Sequence, residues 1–174
     1  MTLAQKPTTG THTTPTELGA RTRIQRHFTE VGKHPYELIE WEQRNTAITD
    51  ESGNTFFEQD DVEVPAFWSQ TATNVVVSKY FRGPLDGDRE SSVKEMIDRV
   101  VGTIAGWGWE DDYFETKEEK ETFEAELTYI ILHQKATFNS PVWFNVGVGD
   151  KPPQCSACFI LEAGDTMESI LEWS

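Results

Sequence analysis

The sequence holds 174 residues, one domain's worth of chain, with a formal charge of −15 and an isoelectric point near 4.6. A field of that sign repels nucleic acid and acidic membranes. No apolar run approaches the roughly 18 residues of a membrane span, the N-terminus has no secretory apolar region, and two cysteines without a signal peptide point to a reducing cytoplasm.

Met1 to Arg21 is rich in Thr, Pro, Gly and Ala and reads as a flexible arm, with too few apolar residues to offset the entropy of ordering. Arg21 to Phe28 suits a short helical turn. Trp41 to Ile48 and Asn54 to Glu58 read as two strands around the glycine-containing loop Asp50 to Asn54. Phe56 and Phe57 are good strand formers. Val62, Val64, Phe67 and Trp68 then cross Pro65, which predicts an irregular apolar strap. Asn74 to Tyr80 is either a short strand or the end of a helix begun at Ser69. Gly83, Pro84 and Gly87 make Arg82 to Asp88 a loop.

Two helices follow. Ser92 to about Ala105 puts Val93, Met96, Ile97, Val100, Val101 and Ile104 on one stripe, with Ser92 and Glu95 as a capping box and Gly106 and Gly108 as the stop. Thr116 to about Gln134 is capped by Thr116 and Glu119 and turns Phe123, Leu127, Ile130 and Ile131 inward. Trp107, Trp109, Tyr113 and Phe114 are expected to pack between the two.

The stretch from Thr137 onward is the part that reads as chemistry. Proline in Ser140-Pro141 disfavours helix at the residue before it, so the preceding helix should stop near Lys135. Asn139 and Ser140 bring short polar side chains that bond locally or face a ligand. Gly147, Gly149, Asp150, Pro152 and Pro153 make a loop. Ser156 to Leu161 is a short apolar run that fits a covered strand. Asp165 with Glu168 reads as a helix N-cap, and Met167, Ile170 and Leu171 as the core face of that helix.

These residues resemble a known family. Asn139-Ser140-Pro141-Val142-Trp143-Phe144-Asn145-Val146-Gly147, then Ser156-Ala157-Cys158-Phe159-Ile160-Leu161, then Asp165-Thr166-Met167-Glu168-Ser169-Ile170 look like the amino-terminal part of the adenosylcobalamin-dependent (class II) ribonucleotide reductases. Three upstream stretches are similar too: Phe57 to Ser69, Ser78-Lys79-Tyr80-Phe81-Arg82-Gly83, and Ile97 to Gly102. The resemblance runs from about His34 to the end of the sequence.

The resemblance implies a fold of the α+β class. A flexible arm (1–21) would precede a helical amino-terminal domain with small β elements (22–135). Residues 136–174 would supply the first strand and helix of a ten-stranded α/β barrel, incomplete here. It also implies replacement of the ribose 2′-hydroxyl by hydrogen through radical chemistry. A thiyl radical on one cysteine starts the reaction, and a pair of other cysteines gives two electrons and becomes a disulfide. Cys158 matches the first member of that pair and is the expected catalytic residue. Ser140, Ala157 and Cys158 match the substrate-binding positions. The implied partners are a ribonucleotide, adenosylcobalamin, the remainder of the reductase chain and a thioredoxin-like reductant. Given the acidic charge, the nucleotide's phosphates would meet hydroxyls, backbone amides and helix N-termini.

Other readings compete. Cys155-Ser156-Ala157-Cys158 is formally Cys-x-x-Cys, but it precedes the apolar run instead of opening a helix after a strand, as a thioredoxin-like site requires. A zinc site needs about two further ligands, and the four histidines are scattered. Read without the family, Cys158 is a buried inert thiol. A stand-alone regulatory or assembly module docking on a reductase would show a well-packed last helix. The radical-forming cysteine, the partner of Cys158 and the cobalamin surface have no counterpart in a chain with two cysteines. The expectation is therefore one part of a reductase, inactive by itself.

Overall fold

In a computed structural model that describes residues 24–149, 152–160, 162 and 164–172, a β-hairpin, β1 (Trp41–Thr49) and β2 (Thr55–Pro65), pairs antiparallel. Its turn is local chemistry. Asp50 Oδ1 accepts from the amides of Ser52 and Asn54, both at 2.9 Å, and Gly53 supplies φ +86°. The register shifts between Arg44 and Thr46, where Asp61 stands at φ +53° and its amide donates to Asn45 Oδ1 at 3.2 Å. This bulge twists the hairpin. Beyond it, β2 buries Val62 and Val64 completely. The expected irregular strap across Pro65 is thus largely strand. Proline ends β2, where it has no ladder amide to give.

Ser69 caps α1 (Gln70–Lys79) by accepting from the Ala72 amide, which decides for helix over strand at 74–80. Arg44 reaches from β1 to the carbonyls of Trp68 (2.7 Å) and Ala66 (3.0 Å) and to Thr73 Oγ1 (3.0 Å), tying hairpin to helix. The Ser92–Glu95 capping box opens α2 (Val93–Glu110) as expected. That helix buries Val93, Met96, Ile97, Val100, Val101 and Ala105, each large apolar side chain contributing about 1.5–3 kcal/mol.

The glycines do not stop α2. Phe114 packs where a Cβ on Gly108 would stand, at 2.7 Å, so Gly108 is a packing glycine. The stop is Asp112 at φ +58°, with Asp112 N bonded to Trp109 O and Tyr113 N to Gly108 O, a Schellman end on a non-glycine residue. α3 (Lys117–Leu132), capped by Thr116, ends the same way at Gln134, φ +54°. Its buried face is more polar than expected: Thr122, Ala125, Glu126 and Thr128 lie beside Ile131 and Leu132, while Phe123, Leu127 and Ile130 are half-buried. Of the aromatic cluster only Phe114 is buried, against Phe123; Trp107, Trp109 and Tyr113 are exposed.

Of the turn expected at Arg21 to Phe28, residues 24–28 are not helical and residues 21–23 lie outside the described residues. The amides of Phe28 and Thr29 go instead to the Glu126 carboxylate, at 2.9–3.1 Å, with Thr29 Oγ1 at 2.6 Å. A 3-10 turn at Pro35–Leu38 leads into β1. The expected arm, Met1 to Arg21, lies outside the described residues. Among the described residues no helix is long and apolar enough to cross a membrane.

After α3 come two short helices, α4 (Ser140–Asn145) and α5 (Met167–Glu172). Pro141 does not prevent α4, because proline is accepted in a helix's first turn, where its missing amide would have no partner. Residues 156–160 form no strand, and Leu161 lies outside the described residues. A strand needs a neighbouring backbone, and among the described residues the hairpin pairs only with itself, apart from a bridge between Glu63 and Ser92. α5 is capped by Thr166, whose Oγ1 accepts from Ser169 N, in place of Asp165. Its Met167, Ile170 and Leu171 are exposed, not core. The α+β class holds: a two-stranded sheet with helices. It contains no barrel strand among the described residues.

Candidate functional site

Ser140 opens α4 and is half-buried. Its Oγ is not spent on capping, since the N-cap is Asn139, which makes no side-chain cap bond. Ser140 Oγ lies 3.1 Å from the Tyr80 hydroxyl at the end of α1. The Tyr80 ring stacks on Phe144 at 5.4 Å between centroids, within the favourable range for aromatic pairs.

α4 is fixed from below. Val142, Trp143 and Val146 are buried, and Trp143 Nε1 donates to Thr137 Oγ1 (3.1 Å) and Phe138 O (3.2 Å). The main clamp is Arg99 of α2. Its guanidinium donates to the carbonyls of Val146 (2.7 Å), Trp143 (3.2 Å) and Tyr80 (3.2 Å), and to Glu90 Oε1 (2.6 Å). Arg99 and Glu90 are each 12 % exposed at the side chain. Gly147, at φ +71°, lies so close to Arg99 that a Cβ would stand 2.6 Å from Arg99 Cγ. This glycine lets the chain leave α4 across the arginine.

Arg82 borders the same region. Its amide donates to Glu90 Oε2 at 2.8 Å, and its guanidinium sits 4.9 Å from the Phe144 ring centroid. Burial, then the neighbouring Arg99 and Arg89 against the pull of Glu90, lowers its affinity for a proton below the ordinary arginine range. The Glu90 carboxylate thus pairs with Arg99 and lies within reach of Arg82 and Arg89, a local positive excess in an acidic chain.

Further on, Asn145 Nδ2 donates to Gln154 O at 2.8 Å and fastens the returning loop. Cys155 is half-buried against the core. Ala157 and Cys158 are exposed, and both cysteines are free thiols. Ser140 is thus held in a built surrounding, while no hydrogen bond joins it to Ala157 or Cys158. Phe159 and Ile160 beside them are 61 % and 99 % exposed. The stand-alone module called for a packed last helix, and α5 leaves Met167 72 % exposed.

Tyr80, Glu90 and Arg99 were not singled out from the sequence. Tyr80 lies in the Ser78–Gly83 stretch and Arg99 in the Ile97–Gly102 stretch that carry the resemblance, the one sequence signal for either. Among the described residues no three of His, Cys, Asp and Glu gather to hold a metal ion. The clefts at residues 24–37 and along α3, of about 240–360 Å3, are at the small end for a drug-sized ligand.

Comparison with known proteins bears on what this arrangement serves. A family model described as class II vitamin B12-dependent ribonucleotide reductase matches residues 42–84 and 86–134. The vitamin B12-dependent ribonucleotide reductase of Streptomyces coelicolor is 46% identical over 172 residues, covering 98% of this chain and 18% of that protein. That of Streptomyces clavuligerus is 48% identical over 169 residues, 96% of this chain and 18% of its own length. That of Rhodopirellula baltica is 48% identical over 169 residues, 80% of this chain and 16% of its own. The chain spans less than a fifth of the length of these relatives.

Proposed function

The chain belongs to the class II vitamin B12-dependent ribonucleotide reductase family, and we propose that it acts as the amino-terminal part of an enzyme that converts ribonucleotides to deoxyribonucleotides. In this reading residues 22–135 are the amino-terminal domain and residues 136–174 begin the catalytic barrel. The observation that supports it is the clamp. The segment carrying Ser140 is held by Arg99, itself paired with Glu90, and this is the segment whose resemblance assigns it to substrate contact. Ser140, Ala157 and Cys158 then line the ribonucleotide.

Cys158 serves as one of two reducing thiols. The balance is simple: the ribose C2′–O bond breaks and a C2′–H bond forms in its place; two thiols give two electrons and two protons, one proton leaving with the hydroxyl as water and the other with the electron pair ending in the C2′–H bond, and one disulfide forms. A thioredoxin-like dithiol resets that disulfide by exchange. The second thiol, the radical-forming cysteine and adenosylcobalamin belong to the remainder of the reductase, and the isolated 174 residues have no reductase activity. The exposed Phe159, Ile160, Met167 and Ile170 are the surfaces that pack against that remainder, Ser156 to Leu161 becoming a strand once a neighbouring backbone is present.

The test is turnover of the reductase holoenzyme carrying this segment, with a dithiol as reductant. C158S is expected to abolish repeated turnover while C155S retains it. Full activity in C158S, or equal loss in both variants, would refute the assignment.

A further inference from the structure

We propose that Tyr80 is a positioning residue for the reaction, acting through Ser140; this rests on the reading of Ser140 as a substrate contact. The two residues are 60 positions apart and meet at 3.1 Å, hydroxyl to hydroxyl. A serine hydroxyl has three staggered rotamers and a freely turning proton. One fixed partner selects among these states. Tyr80 is such a partner because it is held at every point. Its amide caps α1 by donating to Val76 O at 2.8 Å, its carbonyl accepts from Arg99 Nη2 at 3.2 Å, and its ring lies on Phe144. Arg99 simultaneously holds the carbonyls of Trp143 and Val146 at the other end of α4. One arginine therefore sets the distance between the tyrosine and the helix whose first residue the tyrosine orients.

The pair has two complementary states. With the phenol donating to Ser140 Oγ, the serine proton is free to be given to a ligand acceptor. With the phenol accepting, the serine proton is occupied and the oxygen accepts from a ligand hydroxyl. Tyr80 thereby lets one serine meet either a hydroxyl or an acceptor on the nucleotide without being left unpaired while the site is empty. It touches no reacting atom in this account.

The experiment is steady-state kinetics of the holoenzyme with ribonucleotide varied, comparing S140A, Y80F, the double variant and Y36F. Y36F controls for general loosening, because Tyr36 is another packed phenol, bonded to Asp98 Oδ1 at 2.8 Å and to the Lys94 carbonyl. S140A and Y80F are expected to raise KM about five- to tenfold each, the effect of one hydrogen bond, and the double variant no more than S140A alone. Y36F should leave KM unchanged. If S140A raises KM and Y80F does not, the role of Tyr80 is overturned and the contact by Ser140 stands. If S140A has no effect, the substrate contact itself fails and this inference with it. Equal rises in Y80F and Y36F, or loss of the circular-dichroism signature of the fold in Y80F, assign the phenol to stability and overturn the proposal.

Discussion

Replacing Arg99 by methionine tests the clamp at its centre. The substitution keeps an unbranched apolar side chain over Gly147 but removes the charge and every bond from the guanidinium to Glu90, Tyr80, Trp143 and Val146. Glu90 then remains in a nearly closed environment with the Arg82 amide as its short-range partner. Breaking one side of a buried ion pair costs about 3–5 kcal/mol, because the surviving charge is left uncompensated. The neighbouring Arg82 and Arg89 offset part of this, so the lower half of that range is expected. For a chain of this size each kcal/mol moves the melting temperature by about 2–4 °C, and R99M should therefore melt about 6–16 °C lower. Chemical denaturation gives the free energy directly. The second arm is the pair R99M with E90Q. Removing both charges should recover much of the loss, because the penalty lies in the unpaired carboxylate. A cost below about 1 kcal/mol for R99M, or a double variant as unstable as the sum of the singles, would show that the ion pair does not organise this region.

Glu126 gives a pH-dependent counterpart. Burial alone would raise its carboxyl, but the hydrogen bonds from Thr29 and the amides of residues 27–29 outweigh that and hold it below the ordinary value of 4.5. Its stabilisation is therefore complete above the unfolded value and is lost as pH falls through the folded one. E126Q should be less stable by about 2–3 kcal/mol at pH 7, the gap closing below about pH 4; a gap constant from pH 7 to pH 3 would contradict this. G147A should lose about 2–4 kcal/mol from a positive φ and from a Cβ pressed on Arg99 and Thr103, and a neutral outcome in urea denaturation would count against the close approach. Alkylation followed by mass mapping should label exposed Cys158 faster than half-buried Cys155, whereas equal rates would dispute their different surroundings.

Much that is local was legible in the order of residues. Ser92 with Glu95, Thr116, and the Asp50–Asn54 turn each bond within about four positions, so neighbouring side chains and amides decide them whatever lies around. The runs around Ser140 and Cys158 carried the family in the same way, because a motif is itself a local pattern. Packing decided the rest. Gly108 looked like a stop and became a seat for Phe114, while Asp112 and Gln134 took the left-handed positions that end the helices. The run at 156–160 has the composition of a strand and, among the described residues, no backbone beside it to complete the ladder. Arg99 and Tyr80 reach partners 44 to 60 residues away, and no spacing rule encodes which carbonyl or hydroxyl a long side chain meets once the helices have packed.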